Sequence, residues 1–424
     1  MKISNRNIRI IVSVARILLA LAFIFSGFVK SIDPHGTAYK IEDYTTAFGI
    51  SQWIPAFFYM VTSLLLSVGE LILGLFLLLG LKRKITSTLL LILLLLMTPL
   101  TLYLALADPV SDCGCFGDAL LLTNWQTFFK NIVLLGLSVL CFKFRTLITP
   151  CFSFHTEWIS SLYIALFSLG LALYCLYYLP VLDFRPYRIG ASIQEEMELK
   201  EGETPPVLET YFLLEKNGEK REFTASNYPD STWTFLSSRL VEIEKGATPR
   251  IQNFSLQEVE TKEDLTDKIL LDKSYSFWLI MPRIVDADDS NIDLINEVYD
   301  YSTEHGYSFY AITSSSSKEI DTWREKTGAE YPFLLLDEIE LKTMVRSNPG
   351  LILVKEGKII NKWSHNDIPD EYALTGRLEN IDLGNLVLRN NTKTIIKILS
   401  IFAIPLLLIL FADVSGGWIF KKRN

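Results

Sequence analysis

Residues Ser111–Asp118 read S-D-C-G-C-F-G-D. The apolar run Ile85–Ala107 leads into this octapeptide and Trp125–Phe142 leads out of it. A membrane-spanning helix needs about 20 mostly apolar residues, so the octapeptide reads as a tight polar loop joining two spans. It holds two of the chain's five cysteines, Cys113 and Cys115, on either side of Gly114. A disulfide between them closes a very small ring, and glycine tolerates the backbone angles such a ring needs. On a redox reading, an exposed, strained bridge is easier to reduce than a structural one. On a plainer reading the pair is a loop staple, or two free thiols. Cys-x-Cys is less diagnostic than Cys-x-x-Cys, and the residues alone leave these readings open.

Half of the 424 residues are hydrophobic, and mean hydropathy is +0.27. Six stretches are long enough to span: Ile8–Val29, Ile54–Leu81, Ile85–Ala107, Trp125–Phe142, Trp158–Leu179 and Thr394–Ala412. The first follows Arg6 and Arg9 like a signal peptide, but it is too long and lacks an Ala-x-Ala site, so it reads as an uncleaved helix. Residues 181–390 are polar and sufficient for a globular domain. They hold 23 Lys+Arg and 39 Asp+Glu, a net charge of −16, while the rest of the chain carries +8. So acidic a domain is a poor nucleic-acid binder. All five cysteines, Cys113, Cys115, Cys141, Cys151 and Cys175, lie in the membrane part, so any thiol chemistry belongs there.

Basic residues near short loops orient a membrane protein. Lys2, Arg6 and Arg9 precede the first span, Lys82–Lys84 separate the second and third, Lys143 and Arg145 follow the fourth, and Lys421–Arg423 follow the sixth. All four clusters share one side if both termini are cytoplasmic. The Cys113/Cys115 loop, the Lys30–Trp53 connection and the 181–390 domain then share the other side. In a bacterial inner membrane that side is the periplasm, where disulfides persist. Cys141 and Cys151 fall at the cytoplasmic face, and Cys175 reads as a small packing residue.

Charges inside a bilayer are costly and usually have a purpose. Arg16 and Glu70 read as the two deep ones, and as neighbours they would form an ion pair fixing helix register, or part of a proton or quinone site. Ser67, Gly69 and Gly74 read as a small-residue packing face. The connection Lys30–Phe48 reads as an interfacial helix with tyrosine anchors and snorkelling lysines. Its sharper reading places Lys30 or Lys40 beside a Cys113 or Cys115 thiolate, whose pKa a cation lowers; Asp33 belongs to the same group. The four histidines show no metal-ligand spacing.

In the polar region, Asp183–Pro206 reads as a linker. Y-F-L-L-E-K-N-G-E-K-R-E-F (211–223) reads as a hairpin turning at Asn217-Gly218. Next come a strand at Ser276–Met281, a helix over Asn291–Gly306, a strand at Ser308–Thr313 and a helix over Lys318–Gly328. Strands at Phe333–Leu336 and Leu351–Val354 follow, the latter turning through Glu356-Gly357 into Lys358–Trp363. This alternation is an α/β pattern.

The segment N-P-G-L-I-L-V-K-E-G-K-I-I (348–360) resembles the thioredoxin-fold signature. The resemblance covers roughly residues 275–363 and implies that Pro349 is cis and faces the family's active site, as a partner-binding position. Where thioredoxins carry Cys-x-x-Cys, this chain reads P-R-I-V-D-A-D-D-S-N-I (282–292), so the domain has no thiolate there. Residues 8–142 resemble the DoxX/MauE-like redox-associated membrane family. The matching features are F-S-G-F-V-K-S-I-D-P (25–34), G-E-L-I-L-G-L-F-L-L-L-G (69–80) and D-C-G-C-F-G-D (112–118). MauE-like members are associated with periplasmic disulfide formation and DoxX-like members with quinone-linked redox, so the resemblance implies Cys113 and Cys115 as the active pair.

The expected architecture is a four-helix DoxX/MauE-like bundle (1–145), a fifth span (156–180), a linker and β-rich extension (181–270), a degenerate thioredoxin-like domain (271–390) and a sixth span (393–412). Two function classes follow. In the first, Cys113 and Cys115 form a thiol–disulfide oxidoreductase of the inner membrane, supported by Lys30, Asp33, Lys40, Glu70 and Arg16, with a periplasmic thiol protein as partner and a quinone as candidate cofactor. In the second, the protein is a non-enzymatic membrane scaffold whose Cys113/Cys115 loop is a staple and whose cysteine-free thioredoxin-like domain binds partners. A transporter is disfavoured, because the spans show no repeat and few polar residues.

Overall fold

The computed structural model describes residues 5–110, 113–216, 218–244, 246–386, 388 and 390–421. Lys2, Ser111, Asp112, Asn217, Lys422 and Arg423, which figure in the readings above, lie outside them.

Among the described residues, six helices are long and apolar enough to cross a membrane: α1 (Asn5–Ile32), α3 (Ala56–Leu79), α4 (Arg83–Ala107), α5 (Asn124–Lys143), α6 (Glu157–Tyr177) and α12 (Asn391–Lys421). α2 (Pro34–Ala47) is shorter and polar and lies at one end of the bundle. The chain breaks between α1 and α2 because Pro34 disfavours helical angles at Asp33. Asp33 then caps α2, its Oδ1 accepting the Gly36 N–H at 2.9 Å.

α1 and α3 touch backbone to backbone. A Cβ on Gly27 would lie 2.2 Å from the Leu71 nitrogen, and one on Gly74 would lie 2.7 Å from the Ile24 nitrogen. Gly74 and the buried Ser67 therefore belong to a packing face. Gly69 does not, because a Cβ there meets nothing within 4 Å. Gly27, on the facing helix, supplies the close approach instead.

The expected Arg16–Glu70 pair does not form. Arg16 donates to the carbonyls of Leu77 (2.8 Å), Leu78 and Thr149 (3.0 Å). It thus satisfies acceptors that the last turn of α3 leaves open. Glu70, two to three turns nearer the other end, pairs with Lys30. Helix rise explains the change: at 1.5 Å per residue, antiparallel neighbours bring Lys30 level with Glu70 and carry Arg16 past it to the end of α3.

The soluble domain is built on a six-stranded sheet in the order β4-β7-β6-β5-β8-β9. Its strands are β4 (Gln257–Glu258), β5 (Tyr275–Met281), β6 (Ser308–Thr313), β7 (Phe333–Leu335), β8 (Gly350–Lys355) and β9 (Lys358–Ser364). β5, β6 and β7 run parallel; β8 is antiparallel to β5, and β9 to β8. β5 is buried throughout, as a strand covered on both faces must be. Phe277, Leu279 and Met281 pack towards α9 (Ile292–His305) and α10 (Ser317–Thr327). Trp278 and Ile280 pack towards α11 (Glu338–Met344), α8 (Thr266–Leu270) and α7 (Ile193–Met197).

Two readings change here. Part of the expected linker 183–206 is core: Tyr187 and Ile193 are buried against the β5 face with Ile251 and Phe254. The hairpin forms as read, with β1 (Val207–Lys216) paired to β2 (Glu219–Thr224), but it belongs to a separate three-stranded sheet completed by β3 (Thr234–Glu244). The Asn348–Pro349 peptide is cis. The chain is thus a bundle of membrane-length helices carrying an α/β thioredoxin-like domain.

Candidate functional site

Cys113 and Cys115 are joined as a disulfide, with their Cα atoms 5.4 Å apart. Gly114 between them has φ +59°, and a Cβ there would lie 2.9 Å from Lys40 Cγ. Glycine is required twice over, by the left-handed angle and by the α2 side chain lying against it. The expected exposed loop is instead covered. Cys113 is buried and Cys115 half-buried, and the Tyr44 hydroxyl of α2 donates to the Cys113 carbonyl. The cause is tertiary: α2 folds across the end of the bundle rather than standing off it.

Beneath the pair lies a cavity of about 260 Å³ between α1, α3, α4 and α5. Most of its wall is apolar, including Phe23, Leu66, Leu94, Met97 and Leu134, and both cysteines line it. Its polar groups gather near the disulfide. Lys30 Nζ contacts both Glu70 oxygens at 2.8 and 2.9 Å, and both side chains are buried. Ser26 Oγ lies 2.6 Å from Glu70 Oε2 and 2.7 Å from the Cys115 carbonyl oxygen. Thr127 Oγ1 is 3.4 Å from Cys113 Sγ and the Cys115 N–H 3.2 Å from it. A disulfide sulfur has no proton, so both are donors to it. Lys130 of α5 sits 4.3 Å from the centre of the Phe116 ring and lines the same cavity.

Of the supporting residues expected from sequence, Lys30 and Glu70 meet at the site, Lys40 covers the loop, and Arg16 lies away from it. Lys30 is paired with a carboxylate rather than placed against a sulfur. Ser26, Thr127 and Lys130 were missed. Lys130 had a visible signal: it is a charge within the apolar run Trp125–Phe142.

Asp33 serves the other side of the loop. Arg346, between α11 and Pro349, reaches it with Nε at 3.0 Å from both carboxylate oxygens, and its Nη2 lies 3.2 Å from Asp118 Oδ2. The Tyr39 ring lies under the guanidinium, its centre 5.4 Å away, and Lys342 reaches Glu42 at 3.6 Å. The soluble domain is therefore latched onto α2 and the disulfide loop by residues just upstream of the cis-proline. Burial alone would raise the Asp33 pKa, but the charges of Arg346 and Arg185 and the Gly36 N–H outweigh it and hold the group below its usual 3.8. Asp118 goes the other way: its side chain keeps some solvent, but the partial desolvation of its carboxylate outweighs Arg346 there. His35 is pushed down to about 4, by burial first, and is neutral at pH 7. Arg346 and Lys342, a few residues upstream of Pro349, make these docking contacts. Among the described residues no three His, Cys, Asp or Glu side chains gather as metal ligands.

Fold and site define a class: a multi-pass helical bundle with a disulfide over an apolar intramembrane cavity, fused to a cysteine-free thioredoxin-like domain. The N-terminal part of this description has a counterpart among known families. Residues 8–144 match the family described as methylamine utilisation protein MauE, so the N-terminal region is MauE-like and the chain is a multi-pass membrane protein. Residues 208–245, essentially the three-stranded sheet, match a domain of unknown function, DUF8463. No curated protein matches the chain. Among solved structures, the chain is similar to a protein from Bacteroides thetaiotaomicron assigned as a protein disulfide isomerase. The identity is 13%, covering 27% of this chain and 76% of that one, with a TM-score of 0.23. It is also similar to an uncharacterized conserved protein from Geobacillus kaustophilus, at 17% identity over 32% of this chain and 82% of that one, with a TM-score of 0.24.

Proposed function

We propose that this protein is a membrane thiol–disulfide oxidoreductase in which Cys113 and Cys115 are the exchanging pair. The observation that carries the reading is the position of the disulfide, between an apolar intramembrane cavity on one side and the docked thioredoxin-like domain on the other. A thiolate of a dithiol partner attacks Cys115, the less buried sulfur, and forms a mixed disulfide while Cys113 leaves as a thiolate. The Cys115 N–H and the Thr127 hydroxyl are placed to stabilise that anion. The partner's second thiolate then displaces Cys115. Two electrons have passed to the pair, and the partner leaves as a disulfide.

The pair must then be reoxidised. The cavity fits a quinone in chemistry: an apolar wall suits the ring and tail, and Lys30, Glu70, Lys130 and Asn131 are polar groups for its oxygens. When bound, a quinone supplies a two-electron, two-proton acceptor. The chain's part is to bind the ring beside the sulfurs, exclude water from it and hold protons at Glu70 and Lys30. The soluble domain, lacking any cysteine, docks rather than exchanges. The disulfide end faces the periplasm of a bacterial inner membrane on this reading, with Lys82–Lys84 and Arg145 at the cytoplasmic end.

The test is the redox state of Cys113 and Cys115 in cells, read by thiol alkylation with and without quinone depletion. Depletion is expected to convert the pair to free thiols, and a variant with one cysteine replaced by serine is expected to trap a partner in a mixed disulfide. A specific observation favours a second reading: α2 covers the loop, as it would cover a structural staple. A pair oxidised under every condition, with no partner trapped, selects the scaffold and ends the redox proposal.

A further inference from the structure

The cavity beneath the disulfide is one of two that share a wall. The second, of about 250 Å³, lies between the bundle and the soluble domain, with Asp33, Asp118, Asp183, Arg185, Lys342 and Arg346 in its lining. Lys30, Thr37, Lys40 and Gly114 line both. One cavity is charged and the other mostly apolar, and Lys30 stands between them with its ammonium on Glu70. From Glu70 the contacts continue to Ser26 and the Cys115 backbone, at 2.6 and 2.7 Å. This chain of groups runs from the interdomain cavity to the Cys115 backbone, at the edge of the cavity that both cysteines line.

We propose that Lys30, Glu70 and Ser26 form a proton relay between the interdomain cavity and the Cys113/Cys115 pair. The proposal rests on the redox reading above. Reduction of the pair by a dithiol breaks one S–S bond, adds two electrons and leaves two thiolates in a mostly apolar chamber. Uncompensated charge is costly there, so two protons must arrive. Each passes from the Lys30 ammonium to the Glu70 carboxylate and on to the Ser26 hydroxyl, which lies against the Cys115 backbone, and from there into the cavity that both sulfurs line; Lys30 is reprotonated from the interdomain cavity. Reoxidation of the two thiols would re-form the S–S bond, their two electrons and two protons passing to the quinone as oxidant. The other ionisable groups facing this chain are Lys40 and Tyr44 of α2 and Lys130 of α5; α4 contributes none to the cavity wall.

The experiment uses the full-length protein in lipid nanodiscs, reduced with dithiothreitol and reoxidised with a water-soluble naphthoquinone. Mass-tag alkylation of Cys113 and Cys115 gives both rates across pH 5.5 to 8.5, in water and in deuterium oxide. The variants are Glu70→Gln and the double change Lys30→Met with Glu70→Met. The double change replaces a buried ion pair by apolar groups and keeps the packing, so it carries the test if Glu70→Gln misfolds. The wild type is expected to show a pH-dependent rate with a solvent isotope effect. Both variants are expected to lose about a hundredfold in rate, together with the pH dependence and the isotope effect. Wild-type rates in the double variant overturn the relay and leave the redox function standing. Slower rates with the pH profile and isotope effect retained also overturn it, since they mark a structural role. A wild-type pair that neither reagent converts overturns the redox function itself, and the relay with it.

Discussion

Arg346→Met removes the cation that ties the soluble domain to the disulfide loop, and the geometry sets the size of the loss. The Arg346 side chain is 7% exposed, Asp33 19% and Asp118 42%. Removing one partner of a buried pair costs about 3–5 kcal/mol. Asp33 keeps the Gly36 N–H and some water, which places the loss at the lower end, about 3 kcal/mol. Asp118 is exposed enough that its pairing adds less than about 1 kcal/mol. Opening of α2 should then become about a hundredfold more frequent, at about 1.4 kcal/mol per factor of ten. Hydrogen exchange of the α2 amides in the full-length protein measures this directly. Asp33→Asn should loosen α2 similarly, and the double variant should be little worse than either single one, because one interaction is removed twice. The pH dependence has a defined sign. A carboxylate held below its usual value stabilises the docked state above 3.8 and loses that effect only as pH falls through its lower docked value. Unchanged α2 exchange in Arg346→Met, or costs that simply add in the double variant, would refute the latch.

Three further outcomes follow from single observations. Gly27→Ala should destabilise the detergent-solubilised protein by about 1–3 kcal/mol through overpacking, since its Cβ would lie 2.2 Å from backbone, while Gly69→Ala should leave the melting temperature unchanged because its Cβ meets nothing. His35 is neutral when docked, with its pKa down at about 4 rather than 6.5; its contribution is therefore full above pH 6.5 and lost progressively towards pH 4, by roughly 2–3 kcal/mol. Exchange of α2, corrected for intrinsic rate, should accelerate from pH 7 to 5, and His35→Gln should abolish that acceleration. Lys362→Met should cost the soluble domain about 3 kcal/mol in thermal unfolding, because the buried Lys362 ammonium holds Asp183 at 3.0 Å and the Tyr187 carbonyl at 2.9 Å; a loss below about 1 kcal/mol would show that Arg185 alone satisfies Asp183.

The sequence by itself determined the elements and their chemistry. Runs of apolar residues marked the spans, because crossing a bilayer depends on length and hydropathy, which are local. Asn291–Gly306 and Lys318–Gly328 were legible as helices from their period and terminal glycines, and β5 from its unbroken apolar run, for the same reason. The cysteine pair was legible from its glycine and its place between two spans. What only the tertiary structure decided was who meets whom. Glu70 took Lys30 rather than Arg16, because the crossing of α1 and α3 sets which turns are level. Asp33 found its cation 313 residues away, in Arg346. The linker became core, since Tyr187 and Ile193 are apolar enough to bury but carry no period that announces a neighbour. And α2 closed over the disulfide, because a polar helix at a membrane surface is stabilised by whatever charged partner the fold brings to it. No spacing along the chain encodes that partner.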